Sequence, residues 1–274
     1  MIDQHDVNSA ASGQDVVARR SRIHFRGVTK AFQQGEKAVI ALEDMTFQIF
    51  DQEFVSIIGP SGCGKSTTLK LISGLEFPAV GSVEVDGQKV TKPSKKVGFM
   101  LQKDLLLPWR SVLRNVTIGL ELRGVPAKER DDKARHLISK YGLAGFENAY
   151  PRHLSGGMRQ RVAVARTLAV DPEILLLDEP LSALDFQTKL KMEEEFVRIL
   201  KEERITVMLI THDIAEAVSV SDRVLVCSAR PGRIKAEFEM PFSKEHDPQM
   251  IRGKPEFMEY FNALWQELKV DVTV

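Results

Sequence analysis

Gly59-Pro60-Ser61-Gly62-Cys63-Gly64-Lys65-Ser66-Thr67 follows an apolar run, Phe54 to Ile58, that reads as a buried strand. Its spacing fits G-x-x-x-x-G-K-[ST], a loop suited to cradling phosphate. The glycines let the backbone wrap closely, so that successive N–H groups point at phosphate oxygens. A helix opening near Lys65 adds its positive dipole end. There the Lys65 ammonium neutralises the β- and γ-phosphates, and the Ser66 hydroxyl is placed to ligate Mg²⁺. An ordinary glycine-rich turn is the plain alternative. The strand in front and the helical pattern behind favour a nucleoside triphosphate site.

A second apolar run, Ile174-Leu175-Leu176-Leu177, ends in Asp178-Glu179. A buried central strand delivers such acids to the C-terminal edge of a parallel sheet, where ligands sit in these folds. Asp178 then holds Mg²⁺ opposite Ser66 through water, and Glu179 can orient and deprotonate an attacking water. Many strands end in acids, so the phosphate loop upstream gives this pair its meaning. Leu154-Ser155-Gly156-Gly157-Met158-Arg159-Gln160-Arg161 is a third candidate. Ser155 is a natural N-cap, and the glycine pair leaves a helix start bare enough for a phosphate. Read alone, it is a capped helix with a loose first turn.

These residues need a scaffold, and the hydrophobic pattern supplies one. Residues 1–21 are small and polar and predict a mobile tail. Short β-type runs at Ile23-His24-Phe25, Val39 to Leu42 and Met45 to Ile49 alternate with turn signals. Gly81 to Gly87 reads as a strand ending in an Asp-Gly turn. Together they predict a small antiparallel layer beside the phosphate-loop core. Residues from about 104 to 168 read as mostly helical, with Ala134, Leu137, Ile138 and Tyr141 at helical spacing. Strand-like runs return at Ile174 to Leu177, Val207 to Ile210 and Val224 to Val226, with a helical segment, Lys189 to Glu203, between the first two. That alternation predicts a parallel sheet covered by helices. Pro255 opens a last helix with Phe257, Phe261, Leu264, Trp265 and Leu268 on one face. That face either packs back on the domain or meets a partner.

The chain has 274 residues, 43% of them hydrophobic, enough for one large domain or a domain with a subdomain. Lys+Arg and Asp+Glu each number 38. Zero formal charge argues against a nucleic-acid partner, which usually calls for a basic excess. No apolar run reaches the roughly 18 residues of a membrane span. The start, Met1-Ile2-Asp3-Gln4-His5-Asp6, lacks the order of a signal peptide. Cys63 and Cys227 make no disulfide framework, so a reducing cytosol is the expected address.

Placed beside the phosphate loop and the Asp-Glu strand, Leu154 to Arg161 resembles the signature of ATP-binding-cassette (ABC) ATPases. The resemblance spans nearly all of residues 22–240. Gln102, in Phe99-Met100-Leu101-Gln102, is similar to the Q-loop glutamine that touches Mg²⁺ and the attacking water. Ser182-Ala183-Leu184-Asp185 resembles the D-loop, although Asp185 alone could be a solvated acid. His212, in Ile210-Thr211-His212-Asp213, matches the switch histidine at the γ-phosphate. Phe32 sits where the family carries an aromatic that stacks on adenine; an ordinary core aromatic is its other reading.

The family implies an α/β fold: a P-loop NTPase core with a parallel sheet, an antiparallel β subdomain and an inserted helical subdomain at about 104–168. Residues 241–274 would form a C-terminal extension. The resemblance also implies that Ser155, Gly156, Gly157 and Gln160 complete an ATP site in trans on a second copy or a paralogous cassette. Leu105-Leu106-Leu107-Pro108-Trp109 would then be helical core, or the groove that receives an integral-membrane permease, or both.

Among subfamilies the chain resembles the ATPases of nitrate, sulfonate and taurine importers. The residues that carry this are Leu107-Pro108-Trp109, Gly156 to Arg161, Ser228-Ala229-Arg230-Pro231-Gly232-Arg233-Ile234 and the final helix. The run Phe186 to Glu193 is more charged than that group carries. The implied function is ATP hydrolysis driving a permease from the cytoplasmic face of the membrane, with a periplasmic solute-binding protein as indirect partner. No fused ligand sensor is expected after Val274. Two other functions compete. A non-transport ABC ATPase acting on DNA or ribosomes would usually carry coiled coils, zinc modules or tandem cassettes. A P-loop kinase would leave Leu154 to Gln160 without a purpose.

Overall fold

The computed structural model describes residues 19–35, 37–182, 184–242, 245 and 247–269. Most of the expected tail, residues 1–18, lies outside them, as does Ala183. Strands β1 (Ser21–Gln34) and β2 (Lys37–Phe50) open the chain, followed by β3 (Phe54–Ile58) and helix α1 (Lys65–Ser73). Then come β4 (Val80–Val85), β5 (Gln88–Lys89), β6 (Val97–Met100), α2 (Val112–Leu122), α3 (Ala127–Lys140) and α4 (Gly156–Leu168). The second half alternates: β7 (Ile174–Asp178), α5 (Phe186–Glu202), β8 (Thr206–Ile210), α6 (Ile214–Val220) and β9 (Arg223–Cys227). Strand β10 (Ile234–Glu239) and helices α7 (Pro248–Arg252) and α8 (Pro255–Lys269) complete it.

Two sheets result. The larger has strand order β10-β9-β3-β8-β7-β6 and is parallel except for β10, which runs antiparallel along β9. Its central strands β3, β8 and β9 are buried along their whole length, as a sheet covered on both faces requires. Alternate residues of β7 enter different cores. Leu175 and Leu177 pack with α2, α4 and α5, whereas Ile174 and Leu176 pack toward the smaller sheet. Replacing a fully buried leucine such as Leu177 by Ala should cost about 2–5 kcal/mol.

The smaller sheet is antiparallel, in the order β2-β1-β4-β5. The chain thus has an α/β architecture of two sheets, with its helical elements α2 to α4 between β6 and β7. The short separate runs expected before residue 50 are instead two continuous strands of 14 residues each. Register shifts between Phe25 and Val28 absorb Gly27 (φ 56°), while Asp44 (φ 48°) lies just before Met45, the partner of Val28. These irregularities carry the pairing past residues that look like turns. The Asp-Gly turn after β4 is present, with Asp86 and Gly87 both at positive φ.

Helix α8 packs on α6, burying Phe257 and Leu264 in a third core with partly covered Phe261 and Leu268. Trp265, expected on that face, is 50% exposed. Among the described residues no helix is long and apolar enough to cross a membrane.

Candidate functional site

The register of the large sheet brings the candidate residues to one edge. Ile58 pairs with Val226, Met100 with Leu177, and Asp178 with Ile210. Loop 59–64, Gln102, Asp178-Glu179 and His212 all leave the sheet from these ends. This is the edge at which parallel α/β sheets place ligands.

Gly64 precedes α1 with φ 98°, which glycine adopts without strain. It is also hemmed in: a Cβ there would come within 2.4 Å of Leu42 and 2.9 Å of the Ala41 carbonyl. Lys65 is folded into its own loop, where Nζ donates to the carbonyls of Gly59 at 2.7 Å and Pro60 at 2.9 Å. Ser66 Oγ donates to Asp178 Oδ1 at 3.1 Å, so the expected facing pair is in contact. Burial, helped by the neighbouring Glu179 charge, lifts the Asp178 carboxyl above the usual range, against the hydrogen bond from Ser66.

Glu179 is held from two sides. Gln102 Nε2 donates to its Oε2 at 3.1 Å, and His212 Nδ1 lies 3.2 Å from the same oxygen. Its backbone has φ 48°, a left-handed conformation that costs a residue with a Cβ about 1–3 kcal/mol. Ser182, the first residue of the D-loop match, supports that turn, its Oγ donating to the Glu179 carbonyl at 3.0 Å. Ser66 Oγ and the Asp178 carboxylate are oxygen donors in contact, a chemistry that suits Mg²⁺; Gln102, the third expected ligand, turns its amide nitrogen to Glu179.

Ser155 caps α4, accepting from Met158 N at 3.3 Å, and Ser155 and Gly156 are exposed. Gly157 is half-buried against α5, where a Cβ would meet Thr188 at 2.9 Å. No hydrogen bond joins these three residues to the phosphate loop among the described residues. Gln160, expected to face outward with them, is instead buried and donates to the Pro180 carbonyl, next to Glu179. Asp185 is exposed and caps α5, accepting from Thr188 N at 3.0 Å; a hydrogen bond from the Thr188 side chain, and then this one, lowers its pKa.

Phe32 is half-buried on β1 opposite Val39, with Lys30 Nζ 4.8 Å from its ring centre. Leu106 enters the helical core, while Leu105 and Trp109 are exposed, Trp109 by 72%. The core reading therefore holds for Leu106, while Leu105 and Trp109 stand uncovered in this chain.

Two features behind the loop are legible only in three dimensions. Gly232 closes on it so tightly that a Cβ would lie 1.9 Å from the Cys63 carbonyl oxygen. Cys227, distant in sequence, is buried beside Cys63 and donates to that same carbonyl at 3.7 Å. A hydrogen bond from Cys227, then the Lys65 ammonium, lowers the Cys63 thiol pKa against the cost of burial. Its neighbour Cys227 is pushed up.

A family profile described as "ABC transporter" matches residues 42–182. An uncharacterized ABC transporter ATP-binding protein, MJ0412 of Methanocaldococcus jannaschii, is 45% identical over 94% of this chain and 97% of its own length. The nitrate import ATP-binding protein NrtD of Synechocystis sp. is 44% identical, covering 86% of this chain and 91% of itself. The aliphatic sulfonates import ATP-binding protein SsuB of Bacillus cereus is also 44% identical, over 83% and 92%. Among solved structures, the dimeric ATP-binding cassette MJ0796, bound to ADP and Pi, superposes with a TM-score of 0.71 at 35% identity. That match covers 80% of this chain and 98% of the other.

Proposed function

From the premise that the chain belongs to the ABC transporter family of ATP-binding proteins, and is an ATPase of that family, we propose that it powers an importer of a small anionic solute such as nitrate, a sulfonate or taurine. The observation that carries the hydrolytic part is the convergence of Gln102 and His212 on one oxygen of Glu179, beside the Ser66–Asp178 contact. Identity of 44% to both a nitrate and a sulfonate import ATPase supports the solute class.

In this reading the amides of residues 59–67 cradle the phosphates, and Lys65 releases its two loop carbonyls to meet the β- and γ-phosphates. Ser66, Asp178 and Gln102 would hold Mg²⁺, which when bound neutralises charge on the phosphate oxygens. Glu179 orients the attacking water and takes its proton, with His212 and Gln102 fixing the carboxylate between them. Phe32 stacks on the adenine. Ser155 and Gly156, exposed and unconnected to the chain's own phosphate loop, reach the nucleotide of a second cassette, identical or paralogous. ATP then bridges the two, and hydrolysis loosens them. Exposed Trp109 and Leu105 meet a separate permease, which holds the ATPase on the cytoplasmic face of the membrane and receives solute from a binding protein.

The test is affinity purification of the tagged protein from gently solubilised native membranes. Co-isolation of a polytopic permease, whose binding protein retains an anionic solute, is the expected result. A soluble or nucleic-acid-bound partner without a permease would overturn the importer reading.

A further inference from the structure

The charged residues after Asp185 turn inward. On α5, Lys189 Nζ lies 2.7 Å from Asp213 Oδ2, 3.4 Å from Glu216 Oε2 and 3.9 Å from Glu193 Oε1. The Glu193 side chain, 1% exposed, takes Arg252 Nη2 of α7 on its other oxygen at 2.6 Å. Two cations thus face three carboxylates, of which Glu193 and Glu216 are buried and Asp213 is partly exposed. Glu193 Oε1 and Arg252 Nε have no hydrogen-bond partner among the described residues. Such a network is weak evidence of stabilisation, because apolar side chains of similar volume often serve as well.

Its location says more. Asp213 caps α6, accepting from Glu216 N at 3.1 Å. Thr211 donates to Glu216 Oε2 and accepts from Asp213 N at 3.0 Å. His212 stands between these two anchored residues, with its Nδ1 3.2 Å from Glu179. On the other side, Lys189 is one turn along α5 from its cap Asp185, and Thr188 between them packs on Gly157.

We propose that Arg252 is a positioning residue for ATP hydrolysis: through Glu193 and Lys189 it fixes both the turn carrying His212 and the first turn of α5. The C-terminal segment thereby tunes turnover without touching nucleotide. This rests on the reading of Glu179 and His212 as the hydrolytic pair.

Burial pushes the Glu193 carboxyl up to about 7, opposed first by Arg252. The charged groups facing it are Lys189 from its own helix, Glu216 and Asp213 from the α6 side, and Arg252 from α7. Burial raises Glu216 as well, whereas the Lys189 hydrogen bond brings Asp213 below its usual range. Ionised Glu193 grips Arg252, and protonated Glu193 lets it go. Turnover should therefore rise with pH across neutrality in step with this carboxyl. Without Arg252, Glu193 keeps its proton to higher pH.

The experiment measures Mg-ATP hydrolysis by the full chain between pH 6 and 9, for wild type, Arg252→Gln, Arg252→Lys, Glu193→Gln, Glu179→Gln and His212→Ala, with thermal melts of each. Arg252→Gln should lower kcat about three- to tenfold at neutral pH, leave the KM for ATP within about twofold, and flatten the rise, because an ionised Glu193 then has no guanidinium to hold. Arg252→Lys should restore most of the rate, and Glu193→Gln should abolish the rise. A folded Arg252→Gln with wild-type kcat and pH profile would overturn the proposal. If that variant does not fold, an unchanged pH profile in Glu193→Gln overturns it instead. Loss of activity in Glu179→Gln and His212→Ala keeps the underlying reading whatever Arg252 does; full activity in those two removes both.

Discussion

Arg159, in the first turn of the signature helix, donates its Nε to Asp104 Oδ2 at 3.1 Å, two residues past Gln102. Arg166, two turns further on, holds the same segment through the carbonyls of Asp104 at 2.6 Å and Leu105 at 2.7 Å. Helix α4 and the stretch that follows Gln102 are therefore tied at two points. Arg159 and Asp104 are each about one-third exposed, so their ion pair contributes at most about 1 kcal/mol to stability. Arg159→Ala is predicted to shift Tm by no more than about 4 °C while reducing ATP turnover several-fold, because Gln102 loses a support. Melting curves and steady-state rates on one preparation decide it. A large Tm loss, or an unchanged rate, would contradict this.

Glu179→Gln should lower kcat by a factor of about 10²–10⁴ with ATP binding intact. The amide keeps the shape of the side chain and its place between Gln102 and His212, but it cannot accept a proton from water. Size-exclusion chromatography with ATP should show a trapped dimer for this variant. Full activity would remove Glu179 from its assigned role.

Gly232→Ala tests the wall behind the phosphate loop. The added methyl would meet a backbone oxygen at 1.9 Å, and backbone cannot rotate away as a side chain can. We predict a destabilisation of about 1–3 kcal/mol and at least a roughly tenfold loss of ATP affinity. Urea unfolding and a nucleotide titration measure the two effects. Tight binding in a stable variant would mean that the wall yields freely.

Cys63, only 1% exposed, should react with a small alkylating agent as the phosphate loop opens, and the adduct should block ATP hydrolysis by crowding the loop. Because its thiol titrates below the ordinary range, the rate of alkylation should rise with pH and level off earlier than for a free cysteine, near about 8.5. Cys227, pushed the other way, should stay unmodified. ATP should protect Cys63. Peptide mass mapping after timed alkylation, paired with the ATPase rate, reads these outcomes, and an active alkylated enzyme would place the thiol outside the site.

The site was legible where chemistry and chain order coincide. Ser66 with Asp178, and Gln102 with Glu179 and His212, each follow a strand whose apolar residues mark it, and a parallel sheet must bring such strand ends to one edge. Contacts between distant segments carry no local period. The Gly232–Cys63 approach, the burial of Cys227 beside the loop and the Arg252–Glu193 pair belong to that class. Gln160 was misplaced because its neighbours Ser155 and Gly156 face out. One turn into α4 the helix has rotated it inward to Pro180. The long β1–β2 pair was hidden because its irregularities imitate turns.

The buried grip of Gln160 on the Pro180 carbonyl also bears on how two sites would communicate. In a paired assembly of the proposed kind, the helix presented to the opposite nucleotide is fastened to the peptide beside the chain's own Glu179. Occupancy on one side would then be felt as backbone tension on the other. The rate should depend sigmoidally on ATP concentration, with a Hill coefficient that falls toward unity in Gln160→Ala. A hyperbolic wild-type curve would mean that the two halves fire independently.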